Sequence, residues 1–263
     1  MKIVALVENT SNSELTPIHG LSLYIETENH KILFDLGSDK TLFQNAEKRN
    51  IDLSAVDIVI ISHGHADHGG TLPAFLAINN KAKVYIQRLA FEKHYLKLLF
   101  LKVYVGLNRH YKDHPQVVLL DGDYVIDDEL QVFTVSDITK CYSKANKPLY
   151  DQNGRDHFAH EQNLLITETT KVLIMGCGHT GIVNILDKAT QFQPSLCIGG
   201  YHVWNPQTKR TIPHKTLDAI AEEMAKHDIE YYTCHCTGIE AFQYLEKHLP
   251  KMHYLACGDT IDI

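Results

Sequence analysis

The sequence predicts an α/β fold, a four-layer αββα sandwich in which two sheets lie face to face beneath outer helices. Three observations predict it. Each half of the chain reads as paired strands followed by alternating helix and strand, so each half builds a sheet covered on one side. No linker and no low-complexity segment divides the halves, which are expected to form a single domain over residues 1–263. With 44% hydrophobic residues, a chain of that length can bury a sizeable core.

The elements follow in order. Residues 1–8 carry a short strand pattern, and 21–26 and 31–35 read as strands joined by a polar turn at Glu28-Asn29. Residues 40–49 favour a helix. Residues 56–61 are apolar and β-branched, the mark of a buried strand. Helix 72–78 and strand 83–86 complete the first half. Segment 89–111 breaks the rhythm, mixing Phe91, Tyr95, Phe100, Tyr104 and Tyr111 with Lys93, Lys97, Lys102 and Arg109. It reads as a helical insertion: a lid over a pocket, a core-packed helix, or a contact within a homodimer. Strands resume at 117–120 and 131–135. Residues 138–160 then form a long loop, with turn signals at Lys147-Pro148 and Asn153-Gly154. Long irregular loops inside compact domains are often functional. A hairpin (163–167 and 172–175), a helix (181–189), a strand (195–198), an amphipathic helix (216–227), a strand (230–233) and a final helix (239–248) close the second half.

Composition narrows the function classes. A formal net charge of −7 disfavours an extended nucleic-acid surface, whose affinity comes from neutralised phosphates. A local pocket for one small anion stays open. No apolar stretch is long enough for a bilayer, and the first residues lack the features of a secretory signal, so a cytoplasmic protein is expected. Six cysteines are then expected as thiols. Cys141, Cys197 and Cys257 read as small buried hydrophobes, whereas Cys177, Cys234 and Cys236 lie close to histidines in sequence.

The chemistry concentrates in Ile61-Ser62-His63-Gly64-His65-Ala66-Asp67-His68-Gly69-Gly70. His63 and His65 point to one side of an extended backbone, and the turn after them can bring Asp67 and His68 round from another direction. Divalent metals favour imidazole nitrogen and carboxylate oxygen, and small residues let the backbone curl around such a centre. Three later histidines also follow apolar strands: His179 after Leu173-Ile174-Met175, His202 after Leu196-Cys197-Ile198, and His235 after Tyr231-Tyr232-Thr233. In α/β sheets ligands gather beyond the carboxyl ends of strands, so these imidazoles are expected to converge on one centre.

This His-x-His-x-Asp-His run after an apolar strand resembles the metal-binding signature of the metallo-β-lactamase-fold superfamily. Ile32-Leu33-Phe34-Asp35-Leu36-Gly37 resembles the strand and Asp-x-Gly turn that precede it there. Gly176-Cys177-Gly178-His179-Thr180-Gly181, Gly199-Gly200-Tyr201-His202 and Cys234-His235-Cys236-Thr237-Gly238 narrow the likeness to a branch often labelled dihydropterin-aminobenzene-phosphate synthase-like metallohydrolases. The resemblance covers nearly the whole chain. It implies two divalent ions, zinc first, with manganese or iron as alternatives.

By that resemblance His63 and His65 belong to one metal, Asp67 and His68 to its neighbour, and His235 joins the second. His179 is expected to complete the first. The sequence departs from the common pattern where Cys177 stands near the usual bridging aspartate. His160, before the hairpin, is the competing candidate for the first metal. His202 is a further ligand or a substrate-facing acid. Asp67 is expected both to ligate and to orient the attacking water. Asp35 either fixes a histidine tautomer from behind or caps the Gly37 turn. Lys144, Lys147, Arg155 and Arg210 are candidate contacts for an anionic substrate.

The function so implied is a metal-dependent hydrolase of a small anionic, phosphorylated ester. Alternatives on the same centre are a pterin-type synthase, a lactonase or a nuclease. A redox enzyme with a flavodoxin partner and a non-enzymatic metal- or ligand-sensing module complete the set.

Overall fold

The computed structural model describes residues 1–206 and 208–263. Its first part runs β1 (Lys2–Val7), β2 (Ser22–Glu26), β3 (Lys31–Phe34), α1 (Thr41–Lys48), β4 (Ile58–Ile60), a single turn α2 (Ala66–Gly69), α3 (Leu72–Ile78) and β5 (Lys83–Gln87). A hairpin, β6 (Tyr95–Leu98) and β7 (Leu101–Tyr104), precedes β8 (Val117–Leu120), β9 (Tyr124–Val125), β10 (Leu130–Phe133) and β11 (Leu149–Tyr150). The rest is β12 (Asn163–Thr167), β13 (Lys171–Ile174), α4 (Ile182–Ala189), β14 (Leu196–Gly199), β15 (Trp204–Asn205), β16 (Arg210–Thr211), α5 (His214–Met224), β17 (Glu230–Thr233), α6 (Ile239–Leu245), β18 (Met252–Tyr254) and β19 (Thr260–Asp262).

These strands form two seven-stranded sheets, ordered β19-β1-β2-β3-β4-β5-β8 and β18-β17-β14-β13-β12-β10-β9. The period-2 alternation of strand side chains builds the layers. In β1, Ile3 and Ala5 enter the core between the sheets, while Val4 and Leu6 join Leu42, Ala46 and Phe75 of α1 and α3. In β13, Val172 and Ile174 face the first sheet, and Leu173 packs with Ile185 of α4 and Ile220 of α5. The fold is thus the expected αββα arrangement. Within each sheet, strands β3, β4, β5 and β8, and strands β13, β14, β17 and β18, run parallel. Their carboxyl ends therefore open at one edge of each sheet, and that edge carries the loops with the histidines.

The C-terminal strand β19 was not legible from its pattern. It crosses back to the first sheet, where Ile261 pairs opposite Ile3. One further expectation is corrected. Residues 89–111 contain a β-hairpin, not a helix. The Tyr-Leu-Lys-Leu and Leu-Lys-Val-Tyr runs alternate in the strand period, and Leu99 takes a positive φ of 52° at the turn. Tyr95 lies opposite Tyr104 and Leu96 opposite Val103. β11, within the irregular 138–160 loop, pairs with β6 to make a three-stranded sheet, and the Lys97 and Lys102 amines lie over the Tyr150 ring. The two insertions are therefore one structure. Among the described residues no helix is long and apolar enough to cross a membrane.

Ile174, fully buried between the sheets, gives a test of this layering. Ile174→Ala is expected to destabilise the chain by about 2–5 kcal/mol, read as a lower midpoint in urea unfolding with an unchanged slope.

Candidate metal centre

The loops at the shared edge bring six strand ends together. β4 delivers His63, His65, Asp67 and His68; β13 delivers Cys177 and His179; β14 delivers His202; and β17 delivers His235. β3 contributes Asp35, and β1 contributes Glu8 and Asn9. His63, His65, His68, His179 and His235 are all at least nine-tenths buried.

Buried imidazoles need a partner for every nitrogen that does not face a metal. The structure supplies one behind each of four rings. Asp35 Oδ2 accepts from His68 Nδ1 at 2.6 Å and from the Ser62 hydroxyl at 2.7 Å. With its proton so placed, Ser62 Oγ accepts from His63 Nδ1 at 2.8 Å. His179 Nδ1 donates to Asn146 Oδ1 at 2.8 Å, and His235 Nδ1 to Asn9 Oδ1 at 3.0 Å. Each ring therefore turns a bare Nε2 inward. Burial pushes His63, His65 and His179 well below the usual histidine range, which keeps them neutral and able to ligate.

The Nε2 atoms of His63, His65 and His179 are buried without any hydrogen-bond partner, and the three residues offer donor atoms within 4.8 Å of one another. Three convergent orphan nitrogens of this kind fit a divalent ion. Beside them lies a second set. His68 Nε2 and His235 Nε2 are 3.2 Å apart, at 3.8 and 3.5 Å from Asp67 Oδ2. Cys177 Sγ stands 3.2 Å from His68 Nε2. It also groups with His63, with His179 and His202, and with His235 and Cys236, so a thiol rather than a carboxylate lies between the two sets.

Other expected residues fall elsewhere. Both nitrogens of His160 are engaged, Nδ1 accepting from Gly64 N–H at 3.0 Å and Nε2 donating to Asp156 at 3.1 Å. It therefore supports the His63–His65 backbone rather than aiming a free nitrogen at the centre. The Asp35 carboxylate sits behind His68 and Ser62, while Gly37 N–H donates to the Leu21 carbonyl. His202, at a positive φ of 45°, places its ring 4.1 Å from that of His179 at a tilt of 50° and lines the cavity. Cys234 belongs to the inter-sheet core. Lys144, Lys147, Arg155 and Arg210 are exposed and none lines the cavity. The cause is local: Lys144 and Lys147 flank a helical turn whose inward residues are Ala145 and Asn146.

That cavity, about 360 Å³, opens over the two donor sets. Its remaining wall is apolar, with Leu96, Tyr104, Leu149 and Trp204, so the β6–β7 and β11 sheet roofs the site. Several supports escaped the sequence reading. Glu161 accepts from His179 N–H at 2.6 Å and Thr180 N–H at 2.8 Å, fixing the ligand loop. Glu8 accepts from His235 N–H at 2.7 Å. Glu8 and Asn9 follow β1 as the histidines follow their strands, and that position was the available signal. Gly176 is required by close approach, since a Cβ there would stand 2.2 Å from Ser62 Oγ.

On this αββα sandwich with its edge of buried imidazoles, residues 15–143 match the family model of the metallo-beta-lactamase superfamily. Relatives span the full length. A Methanocaldococcus jannaschii protein named 7,8-dihydropterin-6-methyl-4-(beta-D-ribofuranosyl)-aminobenzene-5'-phosphate synthase is 29% identical, covering 99% of this chain and 96% of its own. An uncharacterised protein of the same organism is 26% identical over 99% of this chain and 100% of its own. The crystal structure of Tm1679, a metal-dependent hydrolase of the beta-lactamase superfamily, superposes with a TM-score of 0.83 at 24% identity, covering 100% of this chain and 99% of that one. It shares the fold.

The Asp35 network predicts a measurable effect. Asp35→Asn removes the carboxylate that holds His68 Nδ1, and metal affinity is expected to fall about 10–100-fold in a chelator competition while the fold persists.

Proposed function

We propose that this chain is a metal-dependent hydrolase that cleaves a small ester with a metal-facing anionic group, a phosphoester above all, and an apolar body. The observation that carries it is the convergence of the unpartnered Nε2 atoms of His63, His65 and His179 beside the Asp67, His68 and His235 set, under one cavity. In this reading His63, His65 and His179 hold one ion, Asp67, His68 and His235 hold a second, and Cys177 faces both. Zinc suits such nitrogen, carboxylate and thiolate donors, and manganese and iron accept most of them.

Divalent ions at this place supply Lewis acidity and a nucleophilic water near neutral pH. The chain's own residues do the rest. Asp67 lines the cavity and orients the attacking water. His202 lines the same cavity and is the residue placed to pass a proton to the leaving group. The apolar wall of Leu96, Tyr104, Leu149 and Trp204 receives the substrate body and excludes water from it. With no lysine or arginine on that wall among the described residues, countercharge for an anionic head comes from the ions themselves. A compact substrate fits, since the cavity is about 360 Å³. A second reading, synthase chemistry on the same centre, is supported by the name of the 29% identical relative.

A panel of phosphomonoesters, phosphodiesters and lactones, each with zinc or manganese added, separates these readings. Turnover that disappears with a chelator and returns with metal is expected, and His63→Ala or Asp67→Ala is expected to remove it while the circular dichroism spectrum is retained. A fully metal-loaded protein inert towards every ester would sink the hydrolase reading and leave the synthase one.

A further inference from the structure

His19 belongs to no motif, yet the fold aims it at the centre. Its Nε2 lies 3.2 Å from Asp67 Oδ2, and its ring centroid is 5.0 Å from that of His235. We propose that His19 is a fourth protein donor to the second metal position, with Asp67, His68 and His235. The proposal rests on the two-ion reading above and extends it.

The spacing is that of ligands around one ion. Donors held about 2.1 Å from a tetrahedral metal stand about 3.4 Å from each other. Here Asp67 Oδ2 lies 3.2 Å from His19 Nε2, 3.5 Å from His235 Nε2 and 3.8 Å from His68 Nε2, and the last two nitrogens are 3.2 Å apart. Four separations among these donor atoms thus fall near that value, and the His19 ring lies beside that of His235.

The alternative is an ordinary surface His–Asp pair, since the His19 side chain is half exposed. Such pairs contribute little and need no scaffold. His19 has one. The Ser38 hydroxyl donates to its carbonyl at 2.9 Å. Gly20 N–H donates to Asn9 Oδ1 at 3.3 Å, the same oxygen that accepts from His235 Nδ1, so one amide sets the register between His19 and His235. Leu21 N–H donates to the Asp67 carbonyl at 3.2 Å. Gly20 has φ +145°, and a Cβ on it would come within 2.6 Å of that carbonyl. Only glycine lets the loop approach closely enough to deliver the ring.

A fourth side chain makes the two positions unequal. Besides the Cys177 thiol that lies between the two sets, the second then has four side-chain donors and the first three histidines.

Zinc titration of the whole chain against a chromophoric chelator, with metal counted by elemental analysis, tests this. The wild type is expected to hold two ions. His19→Ala is expected to keep the first ion at unchanged affinity and to lose more than about 100-fold in affinity for the second, beyond what loss of a supporting residue behind a ligand produces. His19→Gln retains a donor to Asp67 but ligates poorly, and is expected to behave as His19→Ala does. Metal-free melting temperatures of both variants should match the wild type. A smaller loss in either variant, or none, overturns the role of His19 alone. A wild type that holds fewer than two ions overturns the two-ion reading together with it.

Discussion

The organisation of the strand-end edge follows from one constraint: an imidazole buried with a bare nitrogen must have its other nitrogen satisfied. Water cannot do this at the depth of His63, His68, His179 and His235, so protein groups do. Asp35 and Ser62 serve His68 and His63, Asn146 serves His179, and Asn9 serves His235. Each supporter comes from a different segment. The donors that face inward therefore hold β1, β3, β4, β13, β17 and the 138–160 loop in a single relative placement.

That constraint explains why close-packed small residues cluster here. Gly176 passes against Ser62 with no room for a Cβ, and Gly20 against the Asp67 carbonyl. It also explains Glu161, a carboxylate buried beneath the His179 loop whose oxygens take two backbone amides and the Thr180 hydroxyl. Burial pushes its pKa up while those donors pull it down, so the loop conformation and the carboxylate charge depend on each other.

The roof adds a second design feature. The β6–β7 hairpin and β11 join two insertions distant in sequence into one small sheet, anchored where Ala66 N–H donates to the Val105 carbonyl at 2.8 Å and where His94 and His160 share Asp156. The apolar wall over the cavity is thereby tied to the loop that carries His63 and His65. Shape at the cavity and geometry at the donors are set by the same contacts.

Much of this was legible before the fold was known. Local periodicity marked most of the core strands and helices, and the dense run from His63 to His68, with His179, His202 and His235 after apolar strands, marked the edge where donors gather. Those are short-range signals, carried by residues within a few positions of each other. The hairpin at 95–104 was misread because its aromatics recur near helical spacing as well as in alternation, and only pairing with β11 decides between them. His160 illustrates the same limit. Its place in the chain suits a ligand, but Asp156 and Gly64 occupy both of its nitrogens. His19 is the converse, a lone histidine with no motif, brought to Asp67 by Ser38 and Asn9. The amino-acid sequence by itself determined the layers and the chemical types of the donors, because periodicity and residue identity are local. Which nitrogen of which ring faces the centre was decided only by the tertiary structure, because that depends on hydrogen-bond partners tens to hundreds of residues away.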